Sequence, residues 1–175
     1  MKISNLWMVV LMAISFSFSL SACSNVEDDS NDSTPITEII AGNYQYQTSL
    51  ALTIQNSPYG NTSDCKAVIK KASDTTVDIT INGFGNTSTT TKSSGMNLGD
   101  FTVENVSVTT TDNGGYTLSI GTFEATAGTT AITGESLNGT ISANGTATLK
   151  VIFKPGSMPI AITADFTGSK TNNEK

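Results

Sequence analysis

The sequence predicts an all-β chain, folded as an antiparallel barrel or sandwich. Three observations carry this. After residue 40, apolar and polar residues alternate with a period of two over most of the chain. Clusters of Gly, Asn, Asp and Ser separate the alternating runs. No stretch after residue 40 repeats its apolar residues at helical spacing.

The elements follow in order. In NYQYQTSLALTIQ, Tyr44, Tyr46, Leu50, Leu52 and Ile54 share one face with Thr48 between them, and Asn43, Gln45, Gln47, Ser49, Thr53 and Gln55 share the other. This predicts one long strand over 43–55, and NSPYGN then reads as a loop that presents Tyr59. CKAVIKK is a further strand segment, and VDITI sets Val77, Ile79 and Ile81 against Asp78 and Thr80. GFGNTSTTTKSSG, residues 83–95 with Phe84, reads as a longer loop.

In NLGDFTVENVSVTT, Phe101 and Val103 are out of phase with Val106 and Val108, which calls for a bulge or break. In GYTLSIGTF, Tyr116, Leu118 and Ile120 lose phase with Phe123 across Gly121. SLNGTISA is another strand segment. ATLKVIF aligns Ala147, Leu149, Val151 and Phe153, and MPIAITADF aligns Met158, Ile160, Ile162, Ala164 and Phe166. Ala72-Ser73-Asp74, Asp112-Asn113-Gly114-Gly115 and Asn144-Gly145 are the expected hairpin turns. The count is about eight strands. The second face of each clear strand is Thr, Ser, Asn, Gln, Asp or Lys, so the apolar face points inward and the wall is not a lipid-facing one.

The amino-terminal end is of another kind. Lys2 is the only charge before LWMVVLMAISFSFSL, residues 6–20, an apolar run short of the roughly 20 residues a spanning helix needs. Leu20-Ser21-Ala22-Cys23 follows and resembles the lipobox of bacterial lipoproteins. That resemblance implies cleavage before Cys23 and lipidation of Cys23. Two or more acyl chains make a stable bilayer anchor where one is marginal.

SNVEDDSNDSTP then carries Glu27, Asp28, Asp29 and Asp32 with Val26 as its one apolar residue, too little to offset ordering entropy. Its acidity and position resemble the signal that sends lipoproteins of Bacteroidetes to the outer face of the outer membrane. The expected organisation is a signal peptide over 1–22, a lipidated acidic tether over 23–40, the barrel over 41–170 and a polar tail over 171–175. About 150 residues remain after cleavage, enough for one domain with a real core.

The pattern GNYQYQTSLALTI, VDITINGFG, MNLGDFTVENVSVT, GGYTLSIGTF, LNGTISANGTATLKVIFK, MPIAITADFTGSK resembles the calycin-like β-barrel lipoproteins of Bacteroidetes. Gly42, Tyr44, Phe84, Leu98, Gly99, Asp100, Gly139, Thr140, Asn144, Gly145, Phe166 and Gly168 stand at the places of that pattern. The resemblance covers roughly residues 41–170 and implies an eight-stranded, lipocalin-like barrel. It implies no particular activity.

Composition narrows the chemistry. Histidine is absent, which removes the Ser-His, Cys-His and His-ligated metal arrangements. The net charge is −6 without a basic patch, which argues against nucleic acid. No cofactor motif occurs. Asp78, Glu104, Glu124 and Asp165 are the strand-associated acids that glycoside hydrolysis could use, but Asp78 and Asp165 are out of phase with the apolar face. Cys65 reads as a buried small side chain, not a nucleophile. Tyr44, Tyr46, Tyr116, Phe101, Phe123, Phe153 and Phe166 either line a pocket or pack the core. Asp32-Ser33-Thr34 and Asp74-Thr75-Thr76 resemble a short O-glycosylation sequon of Bacteroidetes, which implies sugar on Ser33 and Thr75.

The expected function is a non-enzymatic lipoprotein on the outer membrane. Its lipid anchor binds the membrane, and its barrel binds a small apolar ligand, a glycan or a surface protein. The alternative is a structural or adhesive module with a filled barrel.

Overall fold

The alternating runs become strands that close on themselves. The computed structural model describes residues 34–46, 50–62, 65–82 and 98–171. They form α1 (Ile36–Ile40), β1 (Gly42–Tyr46), β2 (Leu50–Ile54), β3 (Ser57–Thr62), β4 (Lys66–Lys71), β5 (Thr76–Asn82), β6 (Phe101–Thr110), β7 (Tyr116–Ile120), β8 (Phe123–Ala127), β9 (Thr130–Ile141), β10 (Thr146–Pro155) and β11 (Ile162–Lys170). Antiparallel ladders run β1-β4-β5-β6-β7-β9-β10-β11, and β11 pairs back onto β1. The circuit is a closed eight-strand barrel. The remaining strands extend it. β2 follows β1 along β11, with Tyr44 opposite Lys170 and Ile54 opposite Ile162. β8 follows β7 along β9, with Ile120 opposite Leu137 and Phe123 opposite Gly134.

Period-two patterning decides which residues enter the core. Val77, Ile79 and Ile81 are buried, as are Ala147, Leu149, Val151 and Phe153, and Ile162, Ala164 and Phe166. Burying each large aliphatic or aromatic side chain is worth about 1.5–3 kcal/mol. Across the β9, β10 and β11 ladders, large and small inward residues are mixed. Leu149 stands between Gly139 and Phe166, Ala147 between Ile141 and Gly168, and Phe153 between Gly134 and Ile162. A Cβ on Gly134 would lie 2.2 Å from the Phe123 ring, and one on Gly168 would lie 2.6 Å from the ring of Phe166. Each glycine yields its volume to a ring next to it.

Both phase slips have a structural cause. Val77 faces Val106 and Ile79 faces Val103, so Glu104 and Asn105 together oppose Asp78. Asn105 takes the left-handed conformation (φ 58°), and its N–H donates to Asp78 Oδ1 at 3.0 Å. This is a β-bulge, and it returns Val106 and Val108 to the core. At the second slip the strand breaks at the exposed Gly121-Thr122, between β7 and β8.

Several expectations are corrected. The segment read as a loop at NSPYGN is strand β3, paired with β2 through a two-residue turn at Gln55-Asn56. Both turn residues have positive φ, 50° and 63°, which matches the twist of a hairpin without the usual glycine. Met158 and Ile160 stand outside the final strand, which begins at Ile162, and Ile160 is exposed. The segment read as the end of the tether holds α1, and the compact unit begins at Thr34. Thr37 and Ile40 are buried. The last carbonyls of α1 are claimed by side chains: Tyr44 Oη donates to Ile40 O and Lys170 Nζ to Ile39 O, each at 2.8 Å. The Ala72–Thr75, Thr111–Gly115 and Ser142–Gly145 turns form as expected, with Gly114 and Gly145 at positive φ.

Two outcomes test this packing. Gly134→Val should lower stability by about 1–3 kcal/mol through overpacking against Phe123, and Phe123→Leu in the same chain should recover part of the loss in chemical denaturation. Asn105→Gly should leave the midpoint unchanged or raise it, while Asn105→Val should lower it by about 1–2 kcal/mol because a β-branched residue resists positive φ.

Candidate functional site

The barrel interior comes first, because a ligand of this fold would enter there. Tyr44, Phe101, Phe123, Phe153 and Phe166 are buried, and Tyr116 is half-buried against the same cluster. Phe101 and Phe153 meet with ring centroids 5.5 Å apart and planes at 45°, a tilted aromatic contact. Together with the ring-covered glycines, these aromatics act as core. The Tyr46 side chain and Phe84 lie outside the described residues.

The four strand acids all sit on the outer wall, as Asp78 and Asp165 were expected to. Asp78 is tied to the bulge. Asp165 Oδ1 lies 3.6 Å from Lys150 Nζ, with both side chains about half exposed. Glu124 Oε2 accepts from Thr133 Oγ1 at 3.4 Å, and Glu104 is exposed. Glu104 and Glu124 do come together. With Asp100, Thr80, Thr102 and Thr126 they line an open groove of about 410 Å³ over β6 and β8. No ladder is described between those two strands. Asp100 was legible beforehand only as part of a turn motif. Among the described residues, no group of three or more His, Cys, Asp or Glu could hold a metal ion.

A second open groove, about 430 Å³, crosses the outer face of β7, β9, β10 and β11. One wall is a rank of hydroxyls in register, Thr117, Thr140, Thr148 and Thr167. Thr140 and Thr148 share a hydrogen bond at 2.8 Å. Asn138, Lys150 and Asp165 form the other wall. These residues are polar in the sequence without any local pattern, because the rank exists only through strand register.

The modification residues divide. Cys23 and Ser33 lie outside the described residues, as does the Tyr59 side chain. Thr75 is exposed in the β4–β5 turn, with its N–H bound to Ser73 Oγ at 3.2 Å and its carbonyl accepting from Val108 N at 2.9 Å.

Cys65 is fully buried. Burial, and secondarily the Asp100 carboxylate, push its thiol from 9.0 up to about 12. Burial, with Tyr116 nearby, likewise raises the Tyr44 phenol from 10.0 to about 12. A buried thiol of this kind is neither a nucleophile nor a metal ligand at neutral pH. In Cys23→Ser protein, where Cys65 is the sole thiol, a chromogenic disulfide reagent at pH 8 should react only after denaturation. Both raised groups hold their protons in the fold beyond the point where the unfolded chain releases them. Their stabilising contribution is therefore complete below about pH 9 and declines as pH rises toward 12, a trend that denaturation midpoints across that range should follow.

Similarity to known proteins agrees with this geometry. The calycin-like beta-barrel domain family matches residues 43–169. The crystal structure of a candidate outer membrane protein from Bacteroides fragilis is similar at a TM-score of 0.66 and 40% identity, over 78% of this chain and 53% of that one. This chain therefore spans about half the length of that relative. No curated protein matches the sequence. The matched span takes in all but the edges of the closed wall, and the chain belongs to the calycin-like β-barrel domain family.

Proposed function

We propose that this chain is a lipoprotein of the outer membrane, anchored through Cys23 on the cell-surface side, whose barrel is a non-enzymatic display module. Its partner, a glycan or a surface protein, is met by the outer wall and the loops. The observation that carries this reading is the packing of the interior, where Phe123 covers Gly134 and Phe166 covers Gly168. A ligand stored inside would have to displace rings already in contact. That favours the filled-barrel alternative over a store for a small apolar molecule.

Further points support the reading. Most outward strand residues are hydroxyl, amide and charged groups, with Val68 and Ile152 among the apolar exceptions. No described helix is long and apolar enough to cross a membrane. The relative of known structure carries an outer membrane description, and Leu20-Ser21-Ala22-Cys23 supplies a means of attachment. The exposed positions of Glu104 and Glu124 also weigh against a hydrolase, which needs its two acids across a water-restricting cleft.

Fractionation tests the anchor. The native chain should pellet with membranes and incorporate labelled fatty acid, and Cys23→Ser should do neither. Membrane retention of the Cys23→Ser chain would sink the anchor. A fluorescent fatty-acid probe tests the interior, and it should show no saturable binding to the native protein at micromolar concentrations. Stoichiometric uptake would restore the ligand-storage reading.

A further inference from the structure

We propose that the α1 end of the barrel is a membrane-docking face that seats on the bilayer surface through Ile39. This rests on the anchor reading of Cys23 and adds to it an orientation and a contact.

The argument begins with where the chain enters the barrel. α1 is strapped to one end of the cylinder by three separate partners. Thr37 Oγ1 donates to Ser73 O at 2.8 Å in the β4–β5 turn, Tyr44 bonds Ile40 O, and Lys170 bonds Ile39 O. Thr37 and Ile40 are buried beneath it. The β6–β7 and β9–β10 turns lie at the same end, since Gly114 and Ser142 line a cleft of about 220 Å³ together with Ile39 and Ile40. The chain therefore joins the barrel at a fixed point on a fixed end.

Covalent reach then separates the two ends. Cys23 to Thr34 is a path of eleven residue steps, at most about 40 Å when fully extended. A strand such as β9, Thr130–Ile141, runs the height of the wall, about 30 Å at barrel tilt. The α1 end needs none of that reach to span the wall, whereas contact through the far end would take up about 30 Å of it, roughly three quarters.

The chemistry of the near end suits contact with lipid. Ile39 is 48% exposed; Ile160, beyond the far end of β10, is 39% exposed, so covalent reach and not apolar exposure separates the two ends. Ile39 stands beside the cleft shared with Tyr44 and Tyr116. The charges here are mixed: Glu38, Asp74 and Asp112 against Lys71 and Lys170, with Lys71 paired to Asp74 at 2.9 Å. The attraction is thus apolar and does not depend on anionic headgroups. One isoleucine is a weak contact, but a short tether holds it at an effective concentration on the order of millimolar, where weak contacts persist.

The test uses the full lipidated chain in phosphatidylcholine vesicles that contain a spin-labelled phosphatidylcholine quencher. A fluorophore is placed at Asn113→Cys, at the α1 end, or at Thr129→Cys, at the far end. Cys65 stays unlabelled because it is buried. Quenching at position 113 should exceed that at position 129 at least threefold, unchanged in 0.5 M salt. Ile39→Asp should bring the ratio close to one while the protein still floats with the vesicles. Equal quenching at both ends, or a ratio that Ile39→Asp and Ile39→Ser leave unmoved, overturns the docking face and leaves the anchor standing. A native chain that fails to float overturns the anchor, and the docking face with it.

Discussion

The structure depends on matching side-chain volumes inside a closed wall. Eight strands enclose little more space than their own inward side chains fill. Along β9, β10 and β11, several large residues therefore have a glycine beside them. Phe153 has Gly134, Leu149 has Gly139, and Phe166 has Gly168. Moving one ladder by a residue would bring large side chains against each other and turn the apolar face to water. Closure through β1 and β11 and the order of inward residues are thus one constraint. The Asn105 bulge and the break at Gly121 keep both satisfied where the wall bends.

Much of this was legible in the sequence. Alternation alone placed Val77, Ile79, Ile81, Leu149, Val151 and Phe153 in the core. Loss of phase located both irregularities, because a slip in a period of two has few structural causes. What was not legible depends on tertiary context. Gln55-Asn56 lacks glycine, so nothing local announced a hairpin, and β3 read as a loop. Ile160 kept the apolar phase past the end of its strand, and only the start of the β11 ladder at Ile162 ends the pattern. Five residues of α1 are too few to show helical periodicity. Their order comes from Tyr44 close by and from Ser73 and Lys170, which are distant in sequence.

The candidate sites were legible to a lesser degree, for a related reason. Acids on strands can be assigned to a face but not to one another. Glu104 and Glu124 share a groove because β6 and β8 lie side by side, and the nineteen residues of sequence between them conceal it. The threonine rank needs three registers at once. The lipid-anchor motif is the opposite case. Its resemblance is contiguous, Leu20 to Cys23, and it lies outside the described residues, so the barrel does not bear on it.

The pairing of β1 with β11 has a consequence for how the chain is made. The opening strand finds one of its two lasting neighbours only in the final nine-residue strand, more than a hundred positions later. Contacts so distant in sequence form slowly. A chain synthesised from its amino end cannot complete this cylinder until its last segment has emerged, so the wall locks once, when the tail arrives.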